Sequence, residues 1–150
     1  MAIKVVLVVA AVLLVGFVAI QFVPVQRTNP PIVTQLDWDS VQTQALAQRA
    51  CMDCHSNETK WPWYSYVAPV SWLVVVDVER GRRELNFSQL STNANSLGRV
   101  SQRVQRAIQS GNMPPAQYFP THPDAQLTAD EKQALIAGMQ KTLSKPPLSK

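Results

Sequence analysis

Cys51 and Cys54 are the only cysteines in the chain; two residues separate them, and His55 follows at once. On a helical turn this spacing sets both sulfurs along one edge of a flat ligand. There they can form thioethers with the two vinyl groups of a haem, while the next imidazole turns under the iron as proximal ligand. Such an imidazole needs an acceptor for its other ring nitrogen. Three other chemistries use the same residue types. A thioredoxin-like dithiol belongs between a strand and a helix in a βαβ unit, and no such alternation is present. A zinc site needs four donors, and beyond these three residues only His122 remains. A local disulfide would close too small a loop to stabilise much and would leave His55 without a role. The run therefore reads as attachment of one haem c.

A histidine-ligated iron that transfers electrons commonly takes a thioether as its sixth ligand, which raises the potential relative to two nitrogen donors. Met1 is terminal, Met52 lies between the cysteines and points away, and Met139 falls on the apolar face of the last helix. Met113 remains, between Gly111-Asn112 and Pro114-Pro115, where the double proline favours an extended loop. A loop methionine packed on the aromatic cluster is the plainer reading of it. His122, before Pro123, is the alternative sixth ligand.

The elements that must carry these groups are legible in outline. Residues 1–25 form an apolar segment: Val5 to Ile20 has no polar side chain, and Gln21 is the single one before Val25. The length approaches the roughly 20 residues that cross a bilayer as a helix. A cleaved signal would have an apolar run of about 7 to 15 residues and a small-x-small exit, which Val18-Ala19-Ile20-Gln21-Phe22 does not offer. The expectation is an uncleaved anchor in the bacterial cytoplasmic membrane. Lys4 on the short side places the remainder in the periplasm, although Arg27 weakens the asymmetry.

Residues 26–36, with Pro30-Pro31, read as a linker, and residues 37–145 as a small helical domain. Asp37 or Asp39 is expected to cap a helix over about 40–52, with Val41, Ala45, Leu46 and Ala50 inward, running directly into the cysteine pair. The aromatic, proline-broken stretch 56–69 reads as a structured loop. A second helix is expected from about Pro69 to Leu85, although its valine run alone would suit a strand. A third spans about 97–110, with Leu97, Val100, Val104, Ala107 and Ile108 at helical steps and Gly111 as its stop. A fourth opens on the capping box Thr128 to Glu131, presents Leu135, Ile136, Met139 and Leu143, and ends before Pro146-Pro147. The fold class is all-α with long loops. So little protein core gains from a haem, whose apolar surface contributes on the order of 25 cal/mol per Å² buried.

The chain carries 14 Lys and Arg against 10 Asp and Glu. No basic run with interleaved aromatics accompanies that excess, so nucleic acid is not an expected partner. Arg99, Arg103 and Arg106 share a helical face that is either solvated or a docking patch for an acidic redox partner. Trp61, Trp63, Tyr64 and Tyr66 read as packing residues, with hydrogen bonds to haem propionates as the alternative. Arg82 and Arg83 read as a solvated pair, with the haem propionates as the alternative partners.

Taken together, Cys51-Met52-Asp53-Cys54-His55-Ser56-Asn57-Glu58-Thr59, Trp61-Pro62-Trp63-Tyr64-Ser65, Gly81-Arg82, Leu85-Asn86-Phe87-Ser88 and Met113-Pro114-Pro115 with Tyr118 and His122-Pro123 resemble the bacterial haem-binding-domain family, anchored single-haem proteins similar to the small cytochromes c. The resemblance implies a cytochrome c-like fold with covalent haem on Cys51 and Cys54. It also implies His55 as proximal ligand, Met113 as distal ligand, and a proline carbonyl, here Pro69, accepting from the His55 ring. The expected function is a membrane-tethered one-electron carrier, not an enzyme, that serves redox partner proteins. A peroxidase-like enzyme with His122 as distal base, and a haem-based gas sensor with a labile distal ligand, are the competing classes.

Overall fold

The structure is a computed structural model describing residues 1–150. It is mostly helical, with a single N-terminal apolar helix. The residues group into two units, Met1–Thr28 with Lys60–Asp77, and Asn29–Thr59 with Val78–Lys150.

The first unit opens with α1, Ala2–Ile20, which buries no residue. Its 19 residues have a mean hydropathy of 3.0, long and apolar enough to cross a membrane. The helix ends at Gln21, whose amide then turns to the aromatic stretch. Gln21 Oε1 accepts from the Ala68 N–H at 2.9 Å, and its Nε2 donates to the Ala68 carbonyl at 3.1 Å. Arg27 donates to the Ser65 carbonyl at 3.1 Å and lies 4.4 Å over the Tyr66 ring. Residues 56–69 are the expected irregular segment, with one 3-10 turn at Trp63–Tyr66.

In the second unit the short strand β1, Thr34–Gln35, precedes α2, Val41–Ala50. The cap is Ser40, not Asp37 or Asp39: its hydroxyl accepts from the Thr43 N–H at 3.1 Å. The buried face of α2 is Thr43, Leu46 and Ala47, while Val41 is 83 % exposed. The helix also does not run on through the cysteines. Cys51 leaves helical backbone (φ −133°, ψ −43°), and a separate turn, α3, Met52–His55, follows. α4 covers Val70–Glu84, so the valine run is helical, and residues 70–77 of it fall in the first unit. A 3-10 turn at Phe87–Gln89 follows.

α5, Ala94–Gln109, is capped by Asn93 and buries Leu97, Val104 and Ile108 at steps of seven and four. Gly111 stops it with φ +74°, a left-handed conformation that glycine adopts without penalty. α6, Ala129–Thr142, carries the full Thr128–Glu131 capping box and buries Leu135 and Met139. It ends at Thr142, before the prolines, and the chain then adds β2, Leu148–Ser149, antiparallel to β1. This two-residue pairing is the only sheet.

The core of this unit joins Leu46 and Ala47 to Leu97, Val104 and Ile108, and to Leu135, Met139 and Leu143, with Phe87, Leu90 and Leu127 closing it. Each fully buried leucine or methionine contributes about 1.5–3 kcal/mol. α2 and α6 cross so closely that a Cβ on Gly138 would overlap the Thr43 side chain. Cys51, Met52 and Leu85 pack against this same core, which is how the helices position the cysteine run.

Candidate functional site

The break at Cys51 is what shapes the site. The Cys51 N–H closes α2 on the Ala47 carbonyl at 2.8 Å, and its own carbonyl accepts from Cys54 and His55, at 3.3 and 2.9 Å. The two cysteines therefore sit at the first and fourth positions of one tight turn, with His55 at its end. Neither forms a disulfide. Cys51 is half-buried as a residue, yet its thiol is shielded: burial, with Cys54 beside it adding to the effect, pushes it up to about 12. It is a neutral thiol rather than a thiolate at any physiological pH. No three His, Cys, Asp or Glu side chains gather as donors around one point, so the motif is not arranged as a tetrahedral ion site.

His55 is held through its ring. Nδ1 lies 3.0 Å from the Leu85 carbonyl oxygen. A carbonyl can only accept, so Nδ1 carries the hydrogen and Nε2 keeps the lone pair that a metal needs. Pro69 does not fill this role; its carbonyl accepts from the Trp72 N–H within the first unit. The Phe87 ring meets His55 edge-on, with centroids 6.5 Å apart.

The chain after His55 is stapled to the segment that supplies Leu85. Ser56 is fully buried, and its hydroxyl donates to the Met52 carbonyl at 2.7 Å. The Asn57 N–H donates to Ser88 Oγ at 2.9 Å, while its Oδ1 accepts from Asn86 at 2.8 Å. Thr59 Oγ1 donates to the Asp53 carbonyl. Arg82 closes the set: Nε donates to the Ser56 carbonyl at 2.8 Å, and Nη2 to Thr59 Oγ1 at 2.8 Å and Asn29 Oδ1 at 3.0 Å. Burial lowers the Arg82 pKa, against the raising influence of Cys54 and Glu79. Arg82 is therefore a structural clamp and not half of a solvated pair, whereas Arg83 is exposed and lies 3.9 Å from Glu79. Gly81 is required beside it, because a Cβ there would overlap the Cys54 backbone carbonyl. Sequence reasoning missed Arg82, Gly81, Leu85 and the asparagines as site residues. The runs around Gly81-Arg82 and Leu85-Asn86-Phe87-Ser88 were the available signal.

The loop after α5 places the two candidate sixth ligands. Met113 is 39 % exposed, and its N–H donates to the Ala107 carbonyl at 3.1 Å. Met139 is fully buried in the core and Met52 lines a cavity of about 80 Å³ with Ile32, Leu36, Trp38 and Phe87. Neither is available as a ligand. His122 stacks on Tyr118, with ring centroids 3.8 Å apart at 8°, and its Nδ1 lies 3.0 Å from Thr121 Oγ1. Tyr118 in turn donates to Asp53 Oδ2 at 2.9 Å, which ties the loop bearing Met113 and His122 to the turn bearing the cysteines.

Elsewhere, Arg99 and Arg106 are exposed and Arg103 pairs with Glu84 at 2.9 Å. Trp61 and Tyr64 are half-buried, but Trp63 and Tyr66 are exposed, so packing accounts for only part of the aromatic cluster.

These residues fit a haem on the observations above: two cysteines on one turn, neither in a disulfide, an imidazole oriented through Nδ1, and a soft sulfur on a loop hydrogen-bonded back to that turn. A family model described as a haem-binding domain matches residues 15–141. No curated protein and no solved structure matches the chain.

Proposed function

The chain belongs to the haem-binding-domain family, and from that premise we propose that it is a membrane-tethered one-electron carrier holding one haem c. Cys51 and Cys54 hold the group covalently. Their thiols would hold the group as thioethers to its two vinyl groups, His55 would hold the iron through Nε2, and Met113 would offer its sulfur as the second protein ligand. Bound in this way, the group supplies a one-electron couple at its iron. α1 anchors the chain in the cytoplasmic membrane with the remaining residues in the periplasm, where redox partner proteins exchange electrons with it.

The observation that carries this reading is the His55–Leu85 contact beside two cysteines that form no disulfide. It orients the ring and, in the neutral imidazole, leaves Nε2 as the nitrogen with the lone pair, which supports its role as a ligand. Haem motif residues stapled by Arg82, Asn57 and Ser56 make a rigid mount, and a rigid mount keeps reorganisation on electron transfer small. The Tyr118–Asp53 hydrogen bond ties the loop bearing Met113 to the cysteine turn, which supports Met113 as the second protein ligand.

Absorption spectra of the wild type, Met113→Ala and His122→Ala, in both redox states, test the ligand set. Met113→Ala should lose the sulfur–iron charge-transfer band and gain carbon monoxide binding in the reduced state, while His122→Ala keeps the band. An unchanged band in Met113→Ala, or carbon monoxide binding by the wild type at neutral pH, would overturn the closed-carrier reading in favour of a sensor or peroxidase.

A further inference from the structure

Among the surfaces the proposed function leaves unused, the outward face of the first unit is the most distinctive. Trp63 is 77 % exposed, Tyr66 59 % and Leu73 66 %, with Val70 and Val76 also exposed. In α4, Val70, Leu73 and Val76 lie on one side, opposite the buried Ser71, Val75 and Val78. A solvated helix would carry polar residues there. This face instead stays apolar from Val70 until the exposed Asp77.

The position of this patch in the chain says what covers it. The Gln21 amide, one residue past the end of α1, pairs with both backbone groups of Ala68, between the aromatic turn and α4. Arg27 is fixed over Tyr66 and to Ser65. The segment that carries the exposed aromatics is thus tied through Ala68 to the residue just past the one helix long and apolar enough to cross a membrane. Tryptophan and tyrosine with a nearby arginine are the residue types that favour the boundary between acyl chains and headgroups, where apolar rings and polar tips are both accommodated.

We propose that Trp63, Tyr66, Val70 and Leu73 form a lipid-contacting surface that seats the first unit in the membrane interface, with Arg27 at headgroup level. This rests on the reading of α1 as a membrane anchor. The surface gives the tether a second point of attachment, so the first unit meets the bilayer through α1 and through this face together.

The full-length, haem-loaded protein is reconstituted in vesicles of phosphatidylcholine and phosphatidylglycerol that contain a phospholipid with a diazirine high on its acyl chain. After photolysis, adducts are mapped by mass spectrometry. Adducts are expected on α1 and also on residues 63–73, and the exposed-site variant Trp63→Ser/Leu73→Ser should lose the second set while keeping the first and an unaltered haem spectrum. Adducts confined to α1 would leave the anchor standing and refute the interfacial surface, assigning the patch to a protein partner. Adducts on neither segment would refute the anchor and the surface together. Labelling of residues 63–73 that persists undiminished in the double variant would also refute the assignment to these side chains.

Discussion

The phenol of Tyr118 donates a 2.9 Å hydrogen bond to the carboxylate of Asp53, 65 residues earlier and between the two cysteines. That single bond joins the turn that bears Cys51, Cys54 and His55 to the loop that bears Met113 and His122. His122 stacks flat on the same phenol ring, so Tyr118 is the keystone of that loop. A hydrogen bond to a charged acceptor is worth about 1.5–3 kcal/mol, and partial solvent access at both partners brings this one toward the lower end.

Tyr118→Phe removes the donor and keeps the ring. It should lower the denaturant midpoint by an amount corresponding to about 1–2 kcal/mol without changing the slope, and it should weaken the sulfur–iron band as the Met113 loop loosens. Adding Asp53→Asn to that variant should cost less than Asp53→Asn costs alone, because the shared bond is already gone. Full additivity of the two substitutions would contradict the coupling.

The crossing of α2 and α6 depends on Gly138. A Cβ there would meet Oγ1, Cγ2 and Cβ of Thr43, a short branched side chain that cannot swing aside. Gly138→Ala should destabilise the fold by about 1–3 kcal/mol. Thr43→Ala in the same chain, which removes two of the three obstructing atoms, should restore part of the loss. Thermal unfolding of the two single variants and the double variant measures both effects.

Glu131 gives the acid limb of stability. The Thr128 N–H that donates to it, and after that Arg49 at 2.7 Å, hold its carboxyl below the ordinary glutamate range. A carboxyl depressed in the folded state adds stability that is fully present above its unfolded pKa and is lost as pH falls through its folded one. The melting temperature of the wild type should therefore exceed that of Glu131→Gln at neutral pH, and the gap should close on acidification through the carboxylate range. A gap independent of pH would contradict this.

What the sequence revealed follows from where the information resides. The capping box at Thr128 and the apolar spacing of α5 are local patterns, and both appear in the structure. The acceptor for His55 was not legible, because any residue has a carbonyl: the resemblance pointed to Pro69, and the structure supplies Leu85, 30 residues away from the ring. Arg82 looked like a solvated cation because charge pattern carries no sign of the carbonyl and hydroxyl it reaches. The face of α2 was misjudged at Val41, since its aliphatic side chain is exposed while Thr43, satisfied by Ser40 Oγ, is buried. The break at Cys51 is a backbone event with no proline or glycine to announce it. The pairing of β1 with β2 joins segments too short to show a period.

The central claim is covalent attachment of one haem through Cys51 and Cys54. The most direct measurement is the intact mass of the denatured protein after acidic organic extraction, from the wild type and from Cys51→Ala/Cys54→Ala. The account predicts that the wild type retains the mass of one haem through extraction, and that the double variant gives up whatever haem it binds. Recovery of the wild-type chain at its bare polypeptide mass, with free haem in the organic phase, would contradict it.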